Sequence, residues 1–387
     1  MKDSMRNAKN SLDRRAFMRS GLLAGGAATI GAGLLTNATS ARAQTGSSGG
    51  PLNPGDAAIL RFLAAAELIE SDLWTQYAEL GGIGKNPPVE VDPGQTMNTY
   101  QVALSNLDSD GPQYITSNTL DEMSHAAFLN AYLKSRGAEP VNFEQFRTLE
   151  GSSAKGSSGI KRLTNLMHLN VDTSWYVRYR SATNPDFGAT FLQALDLTDV
   201  TAIPRDDSDF GVLDPNFQVP GNAHIQAIAN VAGFHFGYIE QGGSSLYAAM
   251  SQKVSDPEVL EITLGIGGDE IAHFLEWVDF SGNGVQQPVA PFKDSISGLK
   301  FPNFFVTAPK DLTLSDVQPS LIFPVPCEFI NSSLPHVSII RPLTDKFAGA
   351  VATVASFIAD GLFVGQSNQF LNELNTLAEA ADDATRS

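Results

Sequence analysis

Cysteine is almost absent from this sequence: Cys327 is the only one among 387 residues. A single thiol excludes an intrachain disulfide, a zinc knuckle of the CxxC type and an iron–sulfur cluster held by cysteines. A metal site in this chain would therefore rest on carboxylate and imidazole ligands. These donors suit iron and manganese, and zinc is also admissible on ligand type.

Basic residues are also scarce, with 25 Lys and Arg against 42 Asp and Glu. Seven of the 25 lie in residues 1–43, where Arg14 and Arg15 precede Phe17 and the apolar run GLLAGGAATIGAGLL. This segment resembles a twin-arginine export signal, and SARAQ supplies a cleavage site after Ala43. We therefore expect a signal peptide that the export machinery recognises, and a mature protein that is periplasmic or extracellular. An uncleaved membrane anchor is the alternative, but Gly and Ala dilute the apolar run.

The mature chain is expected to be strongly acidic. Removing residues 1–43 takes away seven basic and two acidic residues, so 18 basic and 40 acidic residues remain, a net charge of −22. Such a surface repels the phosphates of nucleic acids and of anionic lipids. The composition therefore predicts a protein that binds no nucleic acid, and it leaves a homo-oligomer open.

Strand signals are largely missing before residue 284, because apolar and polar residues seldom alternate there. Gly, Pro and Asp instead separate long segments whose apolar residues recur with helical spacing, which predicts an all-α core. The predicted organisation is a linker at 44–55, the core at 56–283 and a C-terminal extension at 284–387, an extended segment followed by helices. The core carries an insertion at about 138–221.

Four long helices are predicted in the core, with a long crossover between the second and the third, as in a helix bundle. The first starts at Asp56 as its N-cap and ends at Gly81 and Gly82. The other three are predicted at 112–136, 222–253 and 257–282. Shorter helices are predicted at 97–107, at 160–180 in the insertion, and at 343–363 and 367–383 in the extension.

The second and fourth predicted helices carry the same motif of an acid and an imidazole, DEMSHAAFL in one and DEIAHFLEW in the other. Residues three apart on a helix lie on one face, one turn from each other. Glu122 and His125 can therefore bind one ion together. The same spacing joins Glu270 to His273.

The other two long helices can complete a dinuclear carboxylate site, which needs one further Glu from each. The third helix offers only Glu240. The first offers Glu67 and Glu70. Both Glu67 and Glu240 have an aromatic residue seven positions later, preceded by Leu, and these residues are Trp74 and Tyr247. This parallel favours Glu67 and leaves Glu70 as the alternative.

With this pattern, the chain resembles the ferritin-like superfamily over roughly residues 57–283. Within it, the chain is similar to exported ferritin-like proteins related to the plant desiccation-associated group. The resemblance implies a four-helix bundle that binds two divalent metal ions, iron or manganese. The six implied ligands are Glu67, Glu122, His125, Glu240, Glu270 and His273.

The resemblance also implies how the ligands divide between the two ions. Glu67, Glu122 and His125 would hold one ion, and the remaining three ligands would hold the other. Glu122 and Glu270 would bridge both.

Residues beside the ligands extend the resemblance and also limit it. In the ferritin-like superfamily, the acidic residue before each Glu-x-x-His often orients the histidine of the opposite helix. The resemblance therefore implies this role for Asp121 and Asp269. Many members have arginine just before the histidine, whereas this chain has Ser124 and Ala272. The match is therefore weaker for the best-studied oxidases and ferritins than for the ligand set itself.

The expected activity is redox chemistry with a small oxidant, dioxygen or peroxide, and it includes iron oxidation. Four carboxylates in a helix core cost on the order of several kcal/mol each unless neutralised, and two divalent cations cancel their charge. The alternative is a structural or stress-protective protein in which metal is absent or incidental. Iron storage is disfavoured, because the insertion and the extension should obstruct a ferritin-type shell.

Five glycines lie in the third and fourth helices near the implied ligands: Gly242, Gly243, Gly265, Gly267 and Gly268. They predict close helix packing or, alternatively, room for dioxygen or a π-bulge.

Overall fold

Helices form nearly all the regular structure in the described part of the chain, which agrees with the all-α prediction. The computed structural model describes residues 50–83, 97–173, 175, 195–211, 223–280, 292–301, 330–331, 333–337, 343 and 348–386. The predicted signal peptide, residues 44–49 of the predicted linker and Cys327 lie outside these residues. No helix in the described ranges combines the length and apolarity needed to cross a bilayer.

Four long helices, which we call the helical core, dominate the compact unit that covers Pro51–Ser387. They are α1 (Pro54–Gly81), α3 (Gly111–Ser135), α5 (Ala223–Ser251) and α6 (Pro257–Phe280). The shorter helices are α2 (Thr99–Leu107), α4 (Asp207–Phe210), α7 (Ala350–Ala359) and α8 (Asn368–Asp382). The only strands within the described ranges are β1 (Phe292–Lys293) and β2 (Lys300–Phe301), which pair antiparallel.

The helical core consists of two antiparallel pairs. In the first pair, the Ser71 hydroxyl on α1 donates to the Glu122 carbonyl on α3 (3.1 Å), and the Thr119 hydroxyl donates to the Trp74 carbonyl (3.1 Å). In the second pair, α5 packs along α6, and the Ser251 hydroxyl lies 3.0 Å from that of Thr263. Residue numbers rise on one helix as they fall on the other, which fixes the antiparallel direction.

The N-cap of α1 lies three residues before the predicted one. Asn53 is the N-cap, and its side chain accepts from the Asp56 amide at 2.9 Å. The prediction of Asp56 as the cap was wrong because its carboxylate is used elsewhere. It accepts from the amides of Ser255 and Asp256, at 2.9 Å each, and so ties the first turn of α1 to the start of α6.

The predicted helix at 160–180 is wrong over 160–173, which are not helical. The main-chain donors that a helix needs are already used. The amides of Leu163 and Thr164 donate to the buried Asp72 carboxylate of α1, at 3.0 and 2.9 Å, and Arg162 exchanges main-chain hydrogen bonds with Leu149. Tertiary hydrogen bonds to α1 therefore override the local helical pattern. Residues 176–180 lie outside the described part.

The C-terminal helices return to the helical core. α8 packs on α1, while α7 contacts α5 and α8. A buried hydrogen-bonded chain adds a polar link, in which the Tyr77 hydroxyl lies 2.7 Å from His235 Nδ1, and His235 Nε2 lies 3.0 Å from Asp360 Oδ2. The helix predicted at 343–363 is shorter, since it begins at Ala350. Most of the predicted extended segment lies outside the described residues.

Removing His235 should destabilise the protein far more than removing His168. Each imidazole pairs with an Asp, but the His235 side chain is fully buried and the His168 side chain is 54% exposed. His235→Ala leaves a cavity and removes the hydrogen bonds that two buried partners make to the ring, so we expect a loss of about 3–5 kcal/mol. His168→Ala should cost less than about 1 kcal/mol. Urea unfolding of both variants measures the difference, and equal losses would refute the buried link.

Candidate metal centre

The six implied ligands come together inside the helical core, one or two from each long helix. Glu67 lies on α1, Glu240 on α5, and each of α3 and α6 contributes a Glu and a His three residues apart. The four carboxylates are at most 1% exposed, and His125 and His273 are 9% and 4% exposed. Because the Glu and the His of each motif are three residues apart, both lie on the same buried face of their helix.

One group of ligand atoms surrounds His125. Its Nδ1 lies 3.4 Å from Glu67 Oε2, 3.3 Å from Glu122 Oε2 and 3.8 Å from Glu270 Oε1. One ligand atom from each of these four residues lies within 4.8 Å of the others, a spacing that can hold a metal ion.

A second group surrounds His273. Its Nδ1 lies 3.1 Å from Glu122 Oε1 and 3.4 Å from Glu240 Oε2. Glu270 completes this group, again with ligand atoms within 4.8 Å of one another. Glu122 and Glu270 thus belong to both groups, and the two imidazole rings are 6.4 Å apart between centroids.

Asp121 and Asp269 lie on the outer side of the two imidazoles, each beside the histidine of the opposite helix. Asp269 Oδ2 lies 3.2 Å from His125 Nε2, and Asp121 Oδ2 lies 3.4 Å from His273 Nε2. Each acid therefore contacts the ring nitrogen that faces away from the carboxylate cluster. This contact favours the tautomer that leaves Nδ1 without a proton and able to bind a cation.

Glu70 is a fifth buried carboxylate beside the site, but it lies outside both groups. Burial raises its pKa well above the ordinary 4.5, and the charges of Glu122, Glu67 and Glu240 add to the increase. The geometry thus places Glu67, rather than Glu70, among the clustered ligand atoms. Burial and the neighbouring charges therefore favour the protonated form of Glu70.

Tyr247 belongs to the site, although the sequence pattern marked it only as an aromatic residue after Glu240. Its hydroxyl, which comes from α5, donates to Glu67 Oε1 on α1. The corresponding residue of the first half, Trp74, instead stacks on Trp277 with centroids 5.3 Å apart. The equivalent positions of the two residues in the sequence do not reveal these roles, because the roles depend on which residue of another helix lies opposite each ring.

Gly243 lies where the backbone of α5 approaches the carboxylate of the implied ligand Glu270, so a larger residue would not fit there. A Cβ built at this position would overlap Glu270 Oε2. Gly267 similarly accommodates Tyr247, whose Cβ would lie 2.8 Å from an added Cβ. Gly265 and Gly268 have no atom within 4 Å of an added Cβ. Close packing therefore explains the first two glycines but not the last two.

Burial and mutual repulsion keep protons on the cluster. Burial raises the pKa of Glu122 to about 8, and the charge of Glu67 adds to the shift. Burial also raises the pKa of Glu270 and of Glu240 above the ordinary 4.5. For His125, burial opposes the charged form, but the hydrogen bonds that its ring donates to Glu122 and Glu67 outweigh it and raise the pKa to about 11.

The donor set fits two divalent cations. Buried ligand atoms without a hydrogen-bond partner in good geometry face the cluster: Glu67 Oε2, Glu122 Oε1, both oxygens of Glu240, both oxygens of Glu270 and His273 Nδ1. Buried polar atoms normally find a partner, so this concentration of unpaired oxygens calls for positive charge. Four carboxylates and two neutral imidazoles carry four negative charges, which two divalent ions balance.

Comparison of this chain with protein-family models, with curated proteins and with solved structures found no match. The assignment of the site therefore rests on its geometry and on the motifs of the sequence.

The metal-free protein should lose stability as the pH rises. The folded pKa of Glu122, about 8, exceeds its ordinary 4.5, and that of His125, about 11, exceeds 6.5. The folded state therefore holds protons that the unfolded chain releases, and their stabilising effect is lost as the pH rises through the folded values. We expect the thermal midpoint of the metal-free protein to fall steadily from about pH 5 to about pH 9.

Adding Mn²⁺ should flatten this dependence, because the ions replace the protons as the positive charge of the site. The double variant Glu122→Gln/Glu270→Gln should also flatten it without metal, which separates the site from the general acidity of the chain. A wild-type midpoint that stays level over this range, or follows the same curve with and without Mn²⁺, would show that the carboxylates do not share one buried site.

Gly243→Ala should weaken metal binding without removing a ligand, because the added methyl group displaces the Glu270 carboxylate. We expect metal affinity to fall by about tenfold or more, as for changes that misplace a metal ligand. Gly265→Ala, in open space on α6, is the matched control; it should keep the affinity and gain about 0.5–1 kcal/mol in stability. Titration with Mn²⁺ measures both affinities. Equal Mn²⁺ affinities of the two variants would show that a methyl group at position 243 does not displace the Glu270 carboxylate.

Proposed function

We propose that this protein is an exported ferritin-like protein whose helical core binds two iron or manganese ions and performs redox chemistry with dioxygen or peroxide, including iron oxidation. The observation that carries the proposal is the pair of ligand groups around His125 and His273, which share Glu122 and Glu270. Two carboxylates common to two neighbouring cation sites are what a bridged pair of metal ions requires.

The arrangement of the helices supports the ferritin-like part of the proposal. The two antiparallel pairs, α1 with α3 and α5 with α6, each contribute one single Glu and one Glu-x-x-His. A long crossover separates α3 from α5, as in bundles of this class. The proposal of export rests on the twin-arginine pattern in residues 1–43.

The protein side chains would position the ions and keep the site dry. Asp269 and Asp121 would hold the outer nitrogens of the two histidines. Tyr247 donates to Glu67 Oε1, which leaves Oε2 as the ligand atom that points to His125. Bound iron or manganese would supply one-electron redox steps and a place where a small oxidant binds.

An aromatic layer closes the helical core on one side of the site. Trp74 and Trp277 lie about one helical turn beyond Glu70 and His273. Phe236 packs against both of them, with centroids 5.0 Å from Trp74 and 4.4 Å from Trp277. These rings exclude water from that end, which strengthens the electrostatic interactions of the cluster.

Iron and manganese are the ions that the donor set favours. The site has four carboxylates and two imidazoles, and Cys327 lies outside the described residues. Hard oxygen donors with imidazole suit both metals, and zinc is compatible with the ligand types but supports no redox chemistry.

A structural or stress-protective protein without resident metal is the second candidate, and one observation favours it. The histidine contacts with Glu122, Glu67 and Glu240 are at ion-pair distance, 3.1 to 3.4 Å. Protonated imidazoles can therefore partly neutralise the cluster without metal. Redox activity that depends on the ligands separates the two candidates.

Histidine variants test the proposed chemistry. After anaerobic loading with Fe²⁺ and exposure to oxygen or peroxide, the wild-type protein should consume oxidant and develop the near-ultraviolet absorption of ferric ions. His125→Ala and His273→Ala each remove the single imidazole of one group, so both should lower metal affinity by about tenfold or more and slow oxidation in proportion. His168→Ala, an exposed histidine, is the control and should behave as wild type.

If the loaded wild-type protein is silent toward both oxidants while it retains iron, the structural candidate stands instead. If both histidine variants keep two metals per chain, the ligand assignment is wrong.

A further inference from the structure

A cavity of about 420 Å³ lies between α5 and α6, beside the candidate metal centre. It opens to the surface near Leu264, which is 60% exposed, and near Gly268. Its walls are largely apolar and include Ala248, Leu260 and Ile271. The volume falls within the range of about 300–1,000 Å³ that small-molecule sites occupy.

One side chain in the inner wall of this cavity also contacts the candidate metal centre. Tyr247 lines the cavity and is only 2% exposed. Its hydroxyl donates to Glu67, one of the proposed ligands. A molecule in the cavity would therefore be separated from the ligand set by a single phenol ring.

The polar groups of the cavity point to the charge of its ligand. Among the wall hydroxyls, Ser251 donates to Thr263 at 3.0 Å and Ser244 donates to the Glu240 carbonyl at 2.8 Å, so both donors already have acceptors. Arg386 lines the cavity as well, and none of the ion pairs within the described residues includes it. A guanidinium over an apolar wall suits a carboxylate on an apolar body.

We propose that this cavity binds a small organic carboxylate with an apolar body, whose charged end lies at Arg386 and whose apolar end extends toward Tyr247. The proposal that the carboxylate binds depends only on the cavity. The proposal that it is a reactant beside the metal ions rests on the proposed function. Position 268 at the mouth borders open space, since an added Cβ there would meet no atom within 4 Å.

Calorimetric titration of the metal-free, full-length mature protein with decanoate tests the proposal, with decanol as the uncharged probe. Wild type should bind decanoate saturably with a Kd below about 1 mM. Gly268→Phe places a ring in the cavity and should abolish binding of both probes. Gly265→Phe, on the same helix but outside the lining, should bind as wild type does.

Arg386→Gln tests the contribution of the charged end of the ligand separately from that of its apolar end. The substitution does not disturb the core, because residue 386 is exposed. It should weaken decanoate binding by about fivefold or more and leave decanol binding unchanged. Circular dichroism checks that each variant is folded. If Gly268→Phe does not fold, the Arg386→Gln comparison decides.

The proposal is overturned if wild type does not bind decanoate, if the two phenylalanine variants bind alike, or if Arg386→Gln has no selective effect. Metal content, measured separately on each variant, distinguishes this failure from that of the proposed function. Decanoate binding by a protein that takes up no metal would uphold the cavity and refute the metal centre.

Discussion

Four carboxylates, from Glu67, Glu122, Glu240 and Glu270, meet inside the helical core where water does not reach them. Their mutual repulsion and their desolvation both oppose folding, and they demand positive charge. Protons supply it in the metal-free protein, since burial raises the pKa of Glu122 to about 8. Two divalent ions would supply it more completely, because several oxygens still lack a hydrogen-bond partner.

The surrounding structure holds this arrangement in place. Gly243 leaves room for the Glu270 carboxylate, and Tyr247 fixes one oxygen of Glu67 from across the core. Asp121 and Asp269 restrain the histidines from the solvent side. The C-terminal helices pack on α1 and α5, so they support the two helices that carry the single Glu ligands.

Much of this was predictable from helical spacing, and the exceptions share a cause. Glu122 and His125 lie three apart on a long helix, so their common face follows from local geometry. The helix predicted at 160–180 is absent over 160–173, because Asp72, distant in sequence, accepts hydrogen bonds from the main-chain amides of Leu163 and Thr164. The bond from Tyr247 to Glu67 was missed for the same reason, since it joins residues on different helices.

In the proposed metal centre, two cations would share Glu122 and Glu270. Crystals of the protein soaked in Mn²⁺ and measured at the manganese absorption edge would test it most directly. Two anomalous peaks are expected about 3.5–4 Å apart, with one histidine beside each and both shared carboxylates between them. A single peak, or peaks only at the half-exposed Asp121 and Asp269, would contradict it.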